Sequence, residues 1–213
     1  MMPKEFRSEP PAMRCRAIFG LLALCVVPLV APAAEEAPGV DRGLAVIAKV
    51  EQAANALARK DQAPNNTAKY RQDLRDSIDL ESFAQITLET YWMAASAGER
   101  QEFIEVLQTM LVNEIVRRAA RRKAGSLEVV SNRLLQNGDL LLSTRRAVSD
   151  DAHSIVDWRL RRGRSTLRIV DVVVEGWSVA SSSRQDFIGQ LNRNGGSVAM
   201  LTSALRDRML RPF

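Results

Sequence analysis

The chain has 213 residues, 46% hydrophobic and 26% charged, an ordinary globular balance and enough length for one well-packed core. Its formal charge is +5, and its only two cysteines, Cys15 and Cys25, fall in a stretch that reads as a leader. If that leader is removed, disulfides, thiolate catalysis and Cys-ligated metals are excluded for the rest of the chain.

The leader reading rests on "MRCRAIFGLLALCVVPLVAPAAEEAPG" from Met13. Arg14 and Arg16 form a positive region, Ala17 to Val30 an apolar one, and Ala31-Pro32-Ala33 an A-x-A cleavage pattern. The apolar part falls short of the roughly 20 residues a spanning helix needs. Residues 1–33 are therefore expected to be a cleaved secretory signal peptide, and residues 34–213 a single exported domain. Leu24 is larger than the small residue that usually precedes a lipidated cysteine such as Cys25. Cleavage leaves 26 basic and 23 acidic residues, a net of +3 that does not by itself argue for nucleic acid.

Asp41 to Lys60 places Leu44, Ile47, Ala48, Val50 and Leu57 among charges and predicts a helix. "DQAPNN" ends it. Thr67 to Ile78 reads as a more polar helix, and Asp79 as the cap of another over Leu80 to Trp92. "SAGE" at Ser96 to Glu99 is a capping box opening the longest helix. Phe103, Val106, Leu107, Met110 and Leu111 form its apolar stripe, and it closes on "VRRAARRKAG" with Gly125 as the left-handed stop.

From Leu127 the period becomes two. Leu127 to Gln136 and Asp139 to Val148 flank Asn137-Gly138, a strong hairpin signal in which both turn residues tolerate positive φ. In Ser154 to Arg162, Val156, Trp158 and Leu160 alternate with Asp157, Arg159 and Arg161. "RIVDVVVEGWSV", Arg168 to Val179, is the fourth strand. Its Val170, Val172 and Val174 are expected on one face, and Leu167, Ile169, Val173, Trp177 and Val179 on the other. A strand apolar on both faces implies cover on both sides or an apolar cavity. Ser183 to Asp186 starts a further helix through Asn192, Gly195-Gly196 ends it, and Ser197 to Leu210 is the last. Helices followed by an antiparallel meander of about four strands make the fold class α+β.

Little here points to catalysis. His153, the only histidine, lies in the polar stretch "SDDAHS", and no G-x-S-x-G, H-E-x-x-H, P-loop or G-x-G-x-x-G occurs. Asp171 and Glu175, four apart on a strand, would be separated by about 13 Å, beyond the spacing of either glycosidase type. They share a face, so the expectation is that they pair with Arg159, Arg161 or Arg184. The basic segments "RRAARRK" and "RLRRGR" read as a helix end and an exposed strand face, or as a docking surface for anionic headgroups or an acidic partner.

Together "IDLESFAQITLETYWMAASAGERQEFIEVLQTML" and "DVVVEGWSVASSSRQDFIGQLNRNGGSVAMLTSAL" resemble the MlaC-like, or toluene-tolerance, family of periplasmic phospholipid-binding proteins. The resemblance is carried by Asp79, Tyr91 and Trp92, Ser96 to Arg100, Asp171 to Gly176, Arg184 and Phe187, and Gly195-Gly196. It departs at Leu167 and Ser183, where the family tends to carry aromatics.

The resemblance implies a non-enzymatic carrier without cofactor or metal. It would hold phospholipid acyl chains in a cavity between sheet and helices. It would exchange them with an inner-membrane ABC transporter complex bearing an MCE-domain protein and with an outer-membrane lipoprotein complex. From alternation and helical spacing, Leu140, Leu142, Trp158, Leu160, Val170, Val172 and Val174 are expected to line the slot from the sheet. Phe83, Tyr91, Phe103, Leu107 and Leu111 are expected from the helices. Asp171, Glu175, Gly176 and Arg184 are expected to be structural. Alternatives are a hopanoid or other apolar-metabolite carrier of the same fold, a small periplasmic hydrolase, and a structural adaptor with no ligand-sized cavity.

Overall fold

The computed structural model describes residues 39–59, 64–121, 127–147, 153–163 and 165–210. The expected signal peptide, the Gly125 stop, and Arg122, Lys123 and Arg164 of the basic segments lie outside them. Helix α1 (Val40–Ala58) buries Val46, Ile47, Val50 and Ala53 along one side. Its Gly43 lies flat on the sheet: a Cβ there would stand 3.2 Å from Leu160 Cδ1 and 3.3 Å from Leu140 Cδ2. Helix α2 (Pro64–Ser77) is mostly polar and is anchored by buried Leu74. Asp73 of α2 also bridges to Lys49 of α1 at 3.2 Å.

Asp79 caps α3 (Leu80–Leu88), accepting from Ser82 N at 3.1 Å and Ser82 Oγ at 2.8 Å. The single helix expected to run on to Trp92 is broken at Glu89 (φ 50°, ψ −121°), after which α4 (Thr90–Ala94) sets off in a new direction. The break lets Trp92 become buried, and Glu89 forms an ion pair with Arg184. Helix α5 (Ala97–Arg121) opens on the expected box: Ser96 N donates to Glu99 Oε2 at 2.9 Å and Glu99 N donates to Ser96 Oγ at 3.2 Å.

Five strands form an antiparallel meander in the order β1 (Leu127–Leu134), β2 (Leu140–Ala147), β3 (His153–Arg162), β4 (Leu167–Val174), β5 (Trp177–Ser178). The extra strand arises because the run Arg168 to Val179 is cut by Glu175-Gly176. These two residues have φ of 51° and 83°, the pattern of a two-residue type I′ turn. Such a turn normally carries Asn or Asp before the Gly, which is why Glu-Gly gave no hairpin signal.

Helix α6 (Val179–Arg193) consequently begins four residues before Ser183, capped by Ser178 Oγ accepting from Ser181 N at 2.9 Å. The β1–β2 hairpin also differs in detail. Leu135 N donates to Asp139 O (2.8 Å) and Gly138 N to Leu135 O (2.9 Å), so the loop has three residues and only Gly138 is left-handed.

A bulge in β4 changes the expected faces. Asp171 pairs with Arg159 and Ile169 with Leu160, leaving Val170 as the extra residue. Ile169 therefore joins the face of Leu160 and Trp158, together with Val172 and Val174, which pair with Trp158 and Val156. Simple alternation had placed Ile169 on the opposite side.

Helix α7 (Val198–Leu210) follows the left-handed Gly195 and Gly196. Two apolar clusters result. One joins α3 to α7 and includes the edge-to-face pair Phe103–Phe187, with centroids 5.8 Å apart. The other joins the sheet to α1, α2 and α5 through Leu74, Leu140, Leu142, Trp158 and Leu160. Ile115 of α5 packs against both. Among the described residues no helix is long and apolar enough to cross a membrane.

Although Arg159 lies opposite Asp171 in the ladder, the guanidinium groups of Arg159 and Arg161 bridge neither Asp171 nor Glu175; both converge on Asp139. Arg159 Nε donates at 2.7 Å, Arg161 Nε and Nη2 at 2.9 and 3.0 Å, and Arg161 Nη1 reaches on to Ser82 Oγ at 2.9 Å. Burial alone would raise the Asp139 pKa, but hydrogen bonds from Arg161, Asn137 and Arg159 outweigh it and hold the carboxyl below its usual range. A group with a depressed folded pKa contributes stability above its unfolded value, about 3.9, and that contribution is lost as pH falls through the folded value.

Thermal unfolding followed by circular dichroism should therefore show a melting temperature that declines below about pH 4. In Asp139→Asn the protein should be less stable by about 1–3 kcal/mol at pH 7, with a shallower acid decline. An equally steep decline in the variant would remove Asp139 from the account. Gly43→Val should lift α1 off Leu140 and Leu160 and cost about 1–3 kcal/mol, measured by denaturant unfolding. Unchanged stability would mean that the helix seat tolerates a side chain.

Candidate functional site

The two clusters do not close on each other. Between them lies a cavity of about 610 Å³, within the ~300–1,000 Å³ range of small-molecule sites. Helix α1 contributes Val50 and Ala54, the link between α2 and α3 Ile78, α3 Phe83, α5 Leu111 and Ile115, and the sheet Val156, Trp158, Ile169, Val170, Val172 and Val174. From Ile169 to Val174 the wall formed by β4 extends roughly 15 Å at the usual strand rise. Trp158 can present its ring there because Nε1–H is already satisfied by Thr144 Oγ1 at 2.9 Å.

One end of the cavity is polar. Leu127, Arg146, Ser154 and Glu175 come from the same end of the sheet, and the last turns of α5 bring Glu114, Arg118 and Arg121 to it. Glu114 pairs with both Arg117 and Arg118. Arg146 Nη2 donates to Glu51 Oε2 at 2.6 Å, a pair whose side chains are only 8% and 11% exposed.

Of the twelve residues expected to line the slot, Phe83, Leu111, Trp158, Val170, Val172 and Val174 are brought together in the wall. The other six lie elsewhere. Phe103 and Leu107 are buried within the helical cluster, and Leu140, Leu142 and Leu160 lie in the sheet–helix cluster at the closed end under Gly43. Tyr91 is half-buried, donates to Asn192 Oδ1 at 2.8 Å, and covers Gly196. Spacing alone identifies an inward face but does not distinguish residues pressed against a neighbour from residues facing a gap.

Asp171 is committed to the chain's own backbone. Oδ1 accepts from Val172 N (2.8 Å) and Ala180 N (2.9 Å), and Oδ2 from Ser178 Oγ (2.6 Å). It thus ties β4 to the positive N-terminal end of α6. Glu175 instead sits exposed in the left-handed turn with no side-chain partner among the described residues, and Gly176 completes that turn. Arg184 is on α6, paired with Glu89 rather than with either acid of the strand.

Among the residues missed were Val50, Glu51, Ala54, Ile78, Ile115 and Arg146. A glutamate inside the apolar run of α1 and an arginine on the inward face of β2 were the available signals. The arrangement is suited to surrounding a long apolar molecule, with most of its charges at one end and Asp171 of the wall already held by α6.

A solved phospholipid-binding protein of Ralstonia solanacearum, determined in complex with a phospholipid, has a similar fold. The TM-score is 0.67 at 14% identity, covering 81% of this chain and 97% of that one. No curated protein matches the chain by sequence. The family description "MlaC protein" matches residues 45–207, from α1 to near the end of α7, and the chain belongs to that family.

Proposed function

We propose that this protein is a lipid carrier that takes the acyl chains of a phospholipid into the seam between its two apolar clusters and carries them across the periplasm. The carrying observation is the cavity itself: apolar over most of its wall, richest in charge at one end, and walled by about 15 Å of β4. One leaflet of a bilayer's hydrocarbon core is about half of ~30 Å, so an acyl chain fits along the wall of β4 with its head at the polar end. At ~0.8 kcal/mol per CH₂, two ordinary chains represent on the order of 20 kcal/mol of apolar exposure, and a deep slot shields them from water. Membership of the MlaC family and a similarly folded protein with a bound phospholipid support this reading. Exchange with an inner-membrane MCE-domain ABC complex and an outer-membrane lipoprotein complex completes the proposed route. The work is binding and release rather than bond-making, and Asp171, the acid that most resembled a catalytic group, serves as a fixture of α6.

Native mass spectrometry of protein purified without detergent should show co-purified phospholipid. Neither bound lipid nor uptake from liposomes would end the carrier reading. Val172→Trp should fill part of the lumen. Removing room for two CH₂ groups weakens loading by roughly tenfold, while far-UV circular dichroism stays that of the wild type. Undiminished loading in that variant would move the chains away from β4.

A further inference from the structure

Arg146 is 7% exposed and faces the cavity, yet only one of the five N–H donors of its guanidinium finds a partner among the described residues, the bond to Glu51. Buried donors of native proteins are almost always satisfied, and a buried arginine left mostly unpaired calls for an explanation. Its end of the cavity carries both signs of charge: Arg118, Arg121 and Arg146 line it together with Glu51, Glu114 and Glu175. Glu114 is shared by Arg117 and Arg118, and Arg121 stands at the same end of the cavity with no partner among the described residues. Across the cavity, the oxygens of Asp171 are already taken by α6.

Resting on the carrier reading, we infer that Arg146 is the anchor of the bound lipid's phosphodiester. Its free N–H groups donate to the non-bridging phosphate oxygens, Glu51 fixes the guanidinium plane, and Arg121 adds charge at the rim. A planar fork of donors suits a phosphate bidentately, which a lysine would not reproduce. The cavity therefore selects lipids that carry a phosphate at the end of their chains over uncharged apolar molecules of equal length, such as diacylglycerols.

The test is uptake of fluorescent phosphatidylglycerol and of a chain-matched diacylglycerol from phosphatidylcholine vesicles, by wild type, by Arg146→Lys and by the double variant Glu51→Gln/Arg146→Gln. The double change leaves no lone buried charge, and melting temperatures check that each variant folds. Wild type should prefer phosphatidylglycerol by tenfold or more, the lysine variant should keep part of the preference, and the double variant should lose it. A large excess of inorganic phosphate should leave lipid uptake unchanged, because free phosphate brings no chains to bury. Phosphate that blocks uptake at modest excess would make the site one for the free ion and overturn the headgroup assignment. Uptake of both lipids by wild type without preference, or a preference that survives in the double variant, would overturn the role of Arg146 while leaving the carrier standing. Failure of wild type to take up either lipid would sink both.

Discussion

An apolar interior that stays open along one seam is the constraint on which the rest of this structure depends. Hydrophobic burial ordinarily drives two such clusters together, and here α5 packs into both without drawing them shut. The geometry of α1 shows how. At Gly43 the helix lies as near to the sheet as its backbone permits. Eleven residues and about 16 Å further along, Ala54 faces the cavity instead. Helix and sheet form a wedge, closed at Leu140 and Leu160 and open at Glu51. At the open end the gap is bridged by an ion pair rather than by methyl groups, and such a pair resists collapse because its desolvation is costly.

The sheet meets the same demand differently. The bulge at Val170 and the turn at Glu175-Gly176 interrupt a valine-rich segment that would otherwise be one long strand. Both Ile169 and Val170 become wall, and the chain is returned early enough for α6 to start beside Asp171. The apolar residues that simple alternation divides between two faces of β4 thus largely serve one neighbour: Ile169, Val170, Val172 and Val174 all line the cavity.

Much of the architecture was legible because it follows from local rules. The capping box at Ser96, the cap at Asp79, the alternation of β3 and the order of helices before meander all depend on residues close in sequence. What escaped was set by contacts distant in sequence or by rare backbone states. Glu89 and Glu175 adopt positive φ without the Gly, Asn or Asp that would have announced it. The partners of Arg159 and Arg161 depend on Asp139 across the sheet, which no spacing rule selects. Half of the slot residues read from the sequence face the cavity, because periodicity reports an inward direction. Leu160 and Trp158 share a face of one strand, and only the position of Gly43 on α1 makes the first a floor and the second a wall.

Asp171 has a mechanical consequence. By holding the first turn of α6 to β4, it makes that strand and that helix move as one body, so this flank of the cavity is stiff. On the opposite flank α1 rests on the sheet at a glycine and is tied further out to β2 by the Glu51–Arg146 pair. The two flanks are thus fastened by different chemistry: a carboxylate on backbone amides and a hydroxyl between β4 and α6, and a buried charge pair between α1 and β2.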